Sequence, residues 1–227
     1  MDLIEKSVQK GRSALSEYES KQVLAQYGIP CTREIMVQSL QDLEDAAEKI
    51  GFPLVLKGCG RHIAHKTEKG LIRVDIRNQK EAKAAFEGIT AEMAGADGNV
   101  LMQEMIKGSR ELVVGLTRDA QFGPCVMFGL GGIFTEVLED ITFRVAPLEK
   151  QDALEMMHEI RAHKMLNAIR GMKAADLEML AEILIRVGQI GLENEAIKEI
   201  DINPVILSHG KPIAVDALVV LEEVRSE

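Results

Sequence analysis

The chain contains no long basic run, no Ser/Pro-rich or low-complexity segment, and no stretch approaching the roughly 20 apolar residues that span a bilayer. Each absence excludes a class. With a formal net charge of -9, a polyanion would have to bind against the field of the whole molecule, which argues against nucleic acid as a partner. The opening MDLIEKSVQKGRSALSEYES lacks the apolar core of a signal peptide. Cysteine is sparse: Cys31, Cys59 and Cys125 are widely spaced and odd in number, a pattern of a reducing compartment rather than of a disulfide scaffold. A cytoplasmic protein with no membrane partner is expected. The 227 residues, 46% hydrophobic and 28% charged, suffice for one large domain or two small lobes.

Ser16 followed by Glu19 has capping-box spacing ahead of EYESKQVLAQYG, a helix that Gly28 and Pro30 stop. The pattern returns at Ser39, before LQDLEDAAEKI with Gly51 and Pro53 behind it, and at Asn78, with Glu81 three residues on. Between those two helices PLVLKG and LIRVDIR predict strands. From Asn99 the texture changes, and NVLMQEMI, RELVVGLT and PCVMFGLGGIF predict three more. Helical periodicity returns from Glu149 to Gly191, broken near Gly171, before two closing strands, IKEIDINPVIL and PIAVDALVV. This predicts an N-terminal helix and smaller lobe over 1–98 and a larger lobe over 99–227, with a hinge near the GADGN of Gly95 to Asn99.

In EIDINPVILSHGKPIAVDALVV, a hairpin loop over Ser208 to Lys211 sets Leu207 opposite Pro212. Asn203 then faces Asp216, with Glu199 and Asp201 along the same face, and Ile200, Ile202, Ile206, Ile213 and Val215 form the core side. Oxygen ligands gathered in this way suit a hard cation such as magnesium, although a half-exposed hairpin with a polar outer face has the same alternation.

Lys57 closes an apolar run, where an ammonium is costly unless it meets an anion such as phosphate or snorkels to solvent. Glu104 lies among the apolar residues of VLMQEMI and Glu111 opens the next strand, and either is compatible with surface alternation. Gly129, Gly131 and Gly132 would let backbone amides approach a phosphate, but their spacing fits neither the dinucleotide fingerprint nor the P-loop, and a turn cluster explains them as well. RHIAHKTEKG, from Arg61 to Gly70, sets two histidines among cationic side chains between two strands.

In order, LSEYESKQVLAQYGIP, FPLVLKGCGRHIAHKTEKG, the long VLMQEMIKGSRELVVGLTRDAQFGPCVMFGLGGIFTEVLEDITFRVAPL and EIDINPV with AVDA resemble the ATP-grasp subunit of ADP-forming acetyl-CoA (acyl-CoA) synthetases, relatives of succinyl-CoA synthetase. The resemblance covers nearly the whole chain. It implies an α/β (α+β) ATP-grasp fold, two lobes with the nucleotide between their sheets. The implied chemistry is that of an acid–thiol ligase interconverting acyl-CoA, ADP and phosphate with acid, CoA and ATP.

By the same resemblance Lys57 contacts ATP phosphates, Glu104 with the backbone of Met105 and Ile106 receives adenine and ribose, and Glu111 is a further nucleotide-site acid. Asn203 and Asp216 match magnesium ligands, with Asp201 an additional one. His65 aligns with a histidine thought, in related enzymes, to accept a phosphoryl group in transit between ATP and the partner subunit, a role suited to a nucleophilic imidazole. Arg61, Lys66 and Lys69 would offset phosphate charge. After His65 the segment departs from the family: Glu68 stands for an Asp, Lys69 for an apolar residue and Leu71 for a glycine. The family's CoA-binding and ligase domains are expected on a larger α subunit in a hetero-oligomer. A carboxylate–amine ligase acting alone and a non-catalytic nucleotide-sensing module are the competing expectations.

Overall fold

The computed structural model describes residues 3–60, 70–93, 98–132 and 140–222. In chain order these form α1 (Leu3–Gln9), α2 (Glu17–Gln26), β1 (Glu34–Val37), α3 (Leu40–Ile50), β2 (Leu54–Gly60), β3 (Ile72–Ile76), α4 (Gln79–Glu92) and β4 (Gly98–Glu104). There follow β5 (Glu111–Asp119), β6 (Gly123–Leu130), β7 (Ile141–Val145), α5 (Lys150–Glu159), a 3-10 turn (His163–Leu166), α6 (Leu177–Glu193), β8 (Ile197–Ser208), β9 (Lys211–Ala214) and β10 (Leu218–Leu221). They fall into two compact units: Ser16–Tyr18 with Thr32–Ile106, and Met1–Leu15 with Glu19–Cys31 and Lys107–Glu227. Among the described residues no helix is long and apolar enough to cross a membrane.

The smaller unit is an antiparallel sheet of order β1-β4-β2-β3 with α3 and α4 on one face. Both helices start where the sequence places them, because a side-chain oxygen satisfies an orphan amide of the first turn. Ser39 accepts from the amide of Asp42 at 3.1 Å and Asn78 from that of Glu81 at 3.0 Å. The helices bury Leu43, Ile50, Phe86 and Ile89 against Leu54, Leu56, Val100 and Met102 of the sheet. Each such side chain contributes roughly 1.5–3 kcal/mol by leaving water. Since strand side chains alternate, Val55, Lys57 and Cys59 of β2 and Leu101 and Gln103 of β4 point to the opposite face.

Two sequence expectations are corrected here. NVLMQE belongs to this smaller sheet, since β4 pairs with β1 and β2, and the boundary falls after Ile106 rather than after residue 98. Of the expected hinge, Gly98 and Asn99 belong to β4 and pair with Gly60 and Cys59, and 94–97 lie outside the described residues. The N-terminal segment and most of α2 go with the other unit instead, tied by the Leu15 amide donating to Val219 at 2.9 Å and by bridges from Ala14 to Val220 and Cys31 to Ala214.

The larger unit holds a sheet of order β10-β8-β5-β6-β7, with β9 also pairing β8. Its core packs α5 and α6, through Met156, Leu180, Leu184 and Val187, against Leu112, Val114, Phe128 and Ile200. The terminal hairpin has the expected register, Leu207 opposite Pro212 and Ile206 opposite Ile213. Its loop is two residues rather than four: Ser208 pairs with Lys211, and His209 and Gly210 make the turn at φ 51° and 89°, both left-handed as a type I′ connection requires.

On its other side β8 slips. Val205 pairs with Leu112 but Ile202 pairs with Val114, so Asn203 and Pro204 together face one residue of β5. This is a β-bulge, placed at a proline that has no N–H to give the ladder. It reverses the strand's faces: Ile200 and Ile202 are followed in the core by Val205 and Leu207, with Ala214 from β9. Ile206, Ile213 and Val215 therefore do not form the core side that strict alternation predicts, and Ile213 and Val215 are only half-buried.

Candidate nucleotide and metal site

In the smaller unit, Lys57 lies inside β2, not at its end, between Leu101 of β4 and Ile72 of β3. It does not snorkel. Lys57 is 4% exposed, and its Nζ donates to Glu17 Oε1 at 2.7 Å. Burying an ammonium demands such a partner. Glu17, the first residue of α2, carries its carboxylate at the helix end whose dipole favours negative charge.

Glu104 ends β4, and its carboxylate is engaged by Arg33: Oε1 accepts the backbone amide at 2.7 Å and Oε2 accepts Nε at 3.0 Å. The chain leaves the strand there through half-buried Met105 and Ile106, with the Met105 amide donating to the Pro53 carbonyl at 3.4 Å. His65, with Arg61, Lys66 and Lys69, lies in 61–69, outside the described residues.

In the larger unit, Glu111 is exposed at the start of β5 and stands over the glycine cluster that follows β6. The Gly131 amide donates to the Glu111 carbonyl at 2.8 Å. Gly132 has φ +65°, and a Cβ there would come 2.4 Å from Glu111 Oε2, so side chains at both positions compete for one space. The glycines thus serve a close approach to β5, and residues 133–139 lie outside the described set.

Asp201 and Asn203 alternate on β8 with buried Ile200 and Ile202. The hairpin keeps one offset on both sides of Asn203, with Val205 opposite Ala214 and Asp201 opposite Leu218, so Asn203 and Asp216 occupy opposed positions within a break in the ladder at 215–217. The Val215 amide donates to the Pro204 carbonyl at 3.0 Å and holds the break closed. Burial, then the charges of Glu199 and Asp216, push the Asp201 carboxyl up to about 6.

A protein-family model for the ATP-grasp domain matches residues 6–221. The chain belongs to the ATP-grasp family. It is 42% identical over 225 residues to the β subunit of ADP-forming acetate–CoA ligase I from Pyrococcus furiosus, covering 97% of each chain. It is 36% identical to ADP-forming acetate–CoA ligase I from Archaeoglobus fulgidus, with 98% of this chain matching 33% of that protein. Acetyl-coenzyme A synthetase 1 of Ca. Korarchaeum cryptofilum, solved with coenzyme A, Ca-AMPCP and HgCl+, superimposes with a TM-score of 0.93 at 41% identity over 97% of this chain and 99% of that one. The same protein with coenzyme A and Mg-AMPPCP, its phosphohistidine segment pointing towards the nucleotide binding site, gives 0.87 at 42% identity over the same shares.

Within this ATP-grasp chain, the residues expected from sequence divide by unit. Lys57, Glu104, Met105 and Ile106 lie in the smaller one, and Glu111, Asp201, Asn203 and Asp216 in the larger. Sequence reasoning missed Glu17 and Arg33, which hold Lys57 and Glu104. The only local signal for Glu17 was its place beside the Ser16 cap. Among the described residues no three His, Cys, Asp or Glu side chains form a metal cluster. The set at the β8 bulge is two carboxylates and an amide, which fits a hard cation that keeps water and phosphate as its other ligands. Burial and the neighbouring charges of Glu199 and Asp216 both disfavour the Asp201 carboxylate, and a divalent cation would favour it.

Proposed function

We propose that the chain is the nucleotide-binding subunit of an ADP-forming acyl-CoA synthetase, an acid–thiol ligase complete only with a larger subunit that carries the CoA-binding and ligase domains. The observation that carries this reading is the oxygen set of Asp201, Asn203 and Asp216 at the β8 bulge, in a chain whose relatives include a ligase β subunit matched end to end. The Archaeoglobus ligase, three times longer than the matched segment, supports a partner that supplies the remaining domains.

Asp201, Asn203 and Asp216 would hold magnesium, which when bound offsets phosphate charge. The ammonium of Lys57 would meet the phosphates, and the Glu104–Ile106 backbone the base and ribose, with the Glu104 carboxylate kept in place by Arg33. Glu111 would bound the nucleotide site beside Gly132. An imidazole nitrogen of His65 would attack the γ-phosphorus of ATP, so that the P–N bond forms as the bond to the ADP oxygen breaks and ADP leaves. Reversal returns the phosphoryl group to ADP. Arg61, Lys66 and Lys69 would offset the charge of the phosphorylated ring.

The test is incubation of the chain with magnesium and γ-labelled ATP, with and without its larger subunit, in wild type and His65→Ala. Acid-labile, alkali-stable label that disappears in the variant is expected. Nucleotide binding without label in the presence of an active partner would remove the relay and leave a nucleotide-binding module.

A further inference from the structure

The pair formed by Lys57 and Glu17 is buried on both sides, with the two residues 4% and 5% exposed and Nζ 2.7 Å from Oε1. Stability does not explain it. Exchanging a buried ion pair for apolar residues of similar volume is often neutral or stabilising, because desolvation of both charges offsets their attraction. The rest of β2 shows the apolar solution, with Leu54, Val55, Leu56 and Cys59 all buried. Lys57 also projects from the sheet face opposite α3 and α4, away from the unit's own core. The charge is retained on that face for something other than packing.

We propose that Glu17 is a positioning residue that fixes the Lys57 ammonium for the nucleotide phosphates; this rests on the reading of Lys57 as the phosphate contact. A lysine side chain is long and flexible, and a phosphate meeting it unpinned must order it during binding. Glu17 does that ordering in advance. It is suited to the task because it sits on the first turn of a helix rather than on a loop, and its carboxylate accepts one of the three N–H donors of the ammonium. Its own charge also repels a phosphate, so the sign of the Glu17→Gln effect decides between positioning and competition.

Mg-ADP affinity and thermal stability are measured on the full chain for wild type, Glu17→Gln, Glu17→Asp, Lys57→Met and the Glu17→Gln/Lys57→Met double variant. KM for nucleotide and kcat are measured after reconstitution with the larger subunit. Glu17→Gln is expected to weaken Mg-ADP about ten-fold, the scale of one charge-assisted hydrogen bond, raising KM to match with kcat within about two-fold. Glu17→Asp keeps the charge and so tolerates burial, but its shorter reach is expected to weaken Mg-ADP about three-fold. In the Lys57→Met background Glu17→Gln is expected to bring no further loss of affinity, because the positioning acts through the lysine. Wild-type or tighter affinity in both Glu17 variants, with only the melting temperature changed, overturns the role of Glu17 and leaves Lys57 as the phosphate contact. Wild-type affinity in Lys57→Met instead removes the reading on which that role rests.

Discussion

Asp201 lies within electrostatic reach of Asp216 across the terminal hairpin: burial first, then Glu199 and Asp216, raise its carboxyl from 3.8 to about 6. Two strands are thus registered so that like charges approach each other in a partly dry place, beside the bulge at Asn203 and Pro204. On the proposed reading this repulsion suits a cation site, since a bound divalent cation would offset the charges of Asp201 and Asp216.

Asp201→Asn is therefore expected to stabilise the nucleotide-free chain and weaken it toward metal. The folded-state value lies above the unfolded one, so between roughly pH 4 and 6 the folded chain binds more protons, and stability falls as pH rises through that window. The melting temperature of Asp201→Asn should exceed that of wild type at pH 8, and the difference should close as pH falls toward 4. Added Mg-ADP should raise the melting temperature of wild type more than that of the variant. Equal melting temperatures at pH 8 would show that the charge of Asp201 costs the fold nothing.

Arg33→Ala separates support of the proposed nucleotide site from support of the fold. The Arg33 side chain is 63% exposed, and exposed ion pairs contribute about 1 kcal/mol or less, or at most about 4 °C of melting temperature in a chain of this size. The amide of residue 33 still bonds Glu104 in the variant. The expected outcome is near-normal stability with a KM for nucleotide raised a few-fold. A large stability loss with unchanged KM would assign Arg33 to the fold alone.

What was legible in the sequence was what local spacing encodes. Ser39 and Asn78 announce their helices because a cap acts on an amide three residues away, and the hairpin offset follows from a turn flanked by matching strands. Periodicity fails where the chain departs from it. The bulge at Pro204 reverses the strand faces and displaces Ile206, Ile213 and Val215 from the expected core side. The edge strands β1 and β7, four and five residues long, are too short to show alternation above background. Glu17 meets Lys57 across 40 residues and Arg33 meets Glu104 across 71, and no period in the chain records either meeting.

Gly132→Ala examines the packing of Glu111. A side chain at φ +65° costs about 1–2 kcal/mol, which corresponds to roughly 2–8 °C in melting temperature. The added Cβ would also fall 2.4 Å from Glu111 Oε2, and because that atom ends a flexible, exposed side chain, the carboxylate should swing away rather than the backbone yield. Stability and nucleotide KM should therefore respond through different causes. Glu111→Ala removes the obstacle, so the stability cost of Gly132→Ala measured in that background should shrink only by the clash and keep its backbone part. The KM penalty should disappear there, since Glu111 is already absent. A KM penalty of the same size in both backgrounds would mean that Gly132 acts on the nucleotide independently of Glu111.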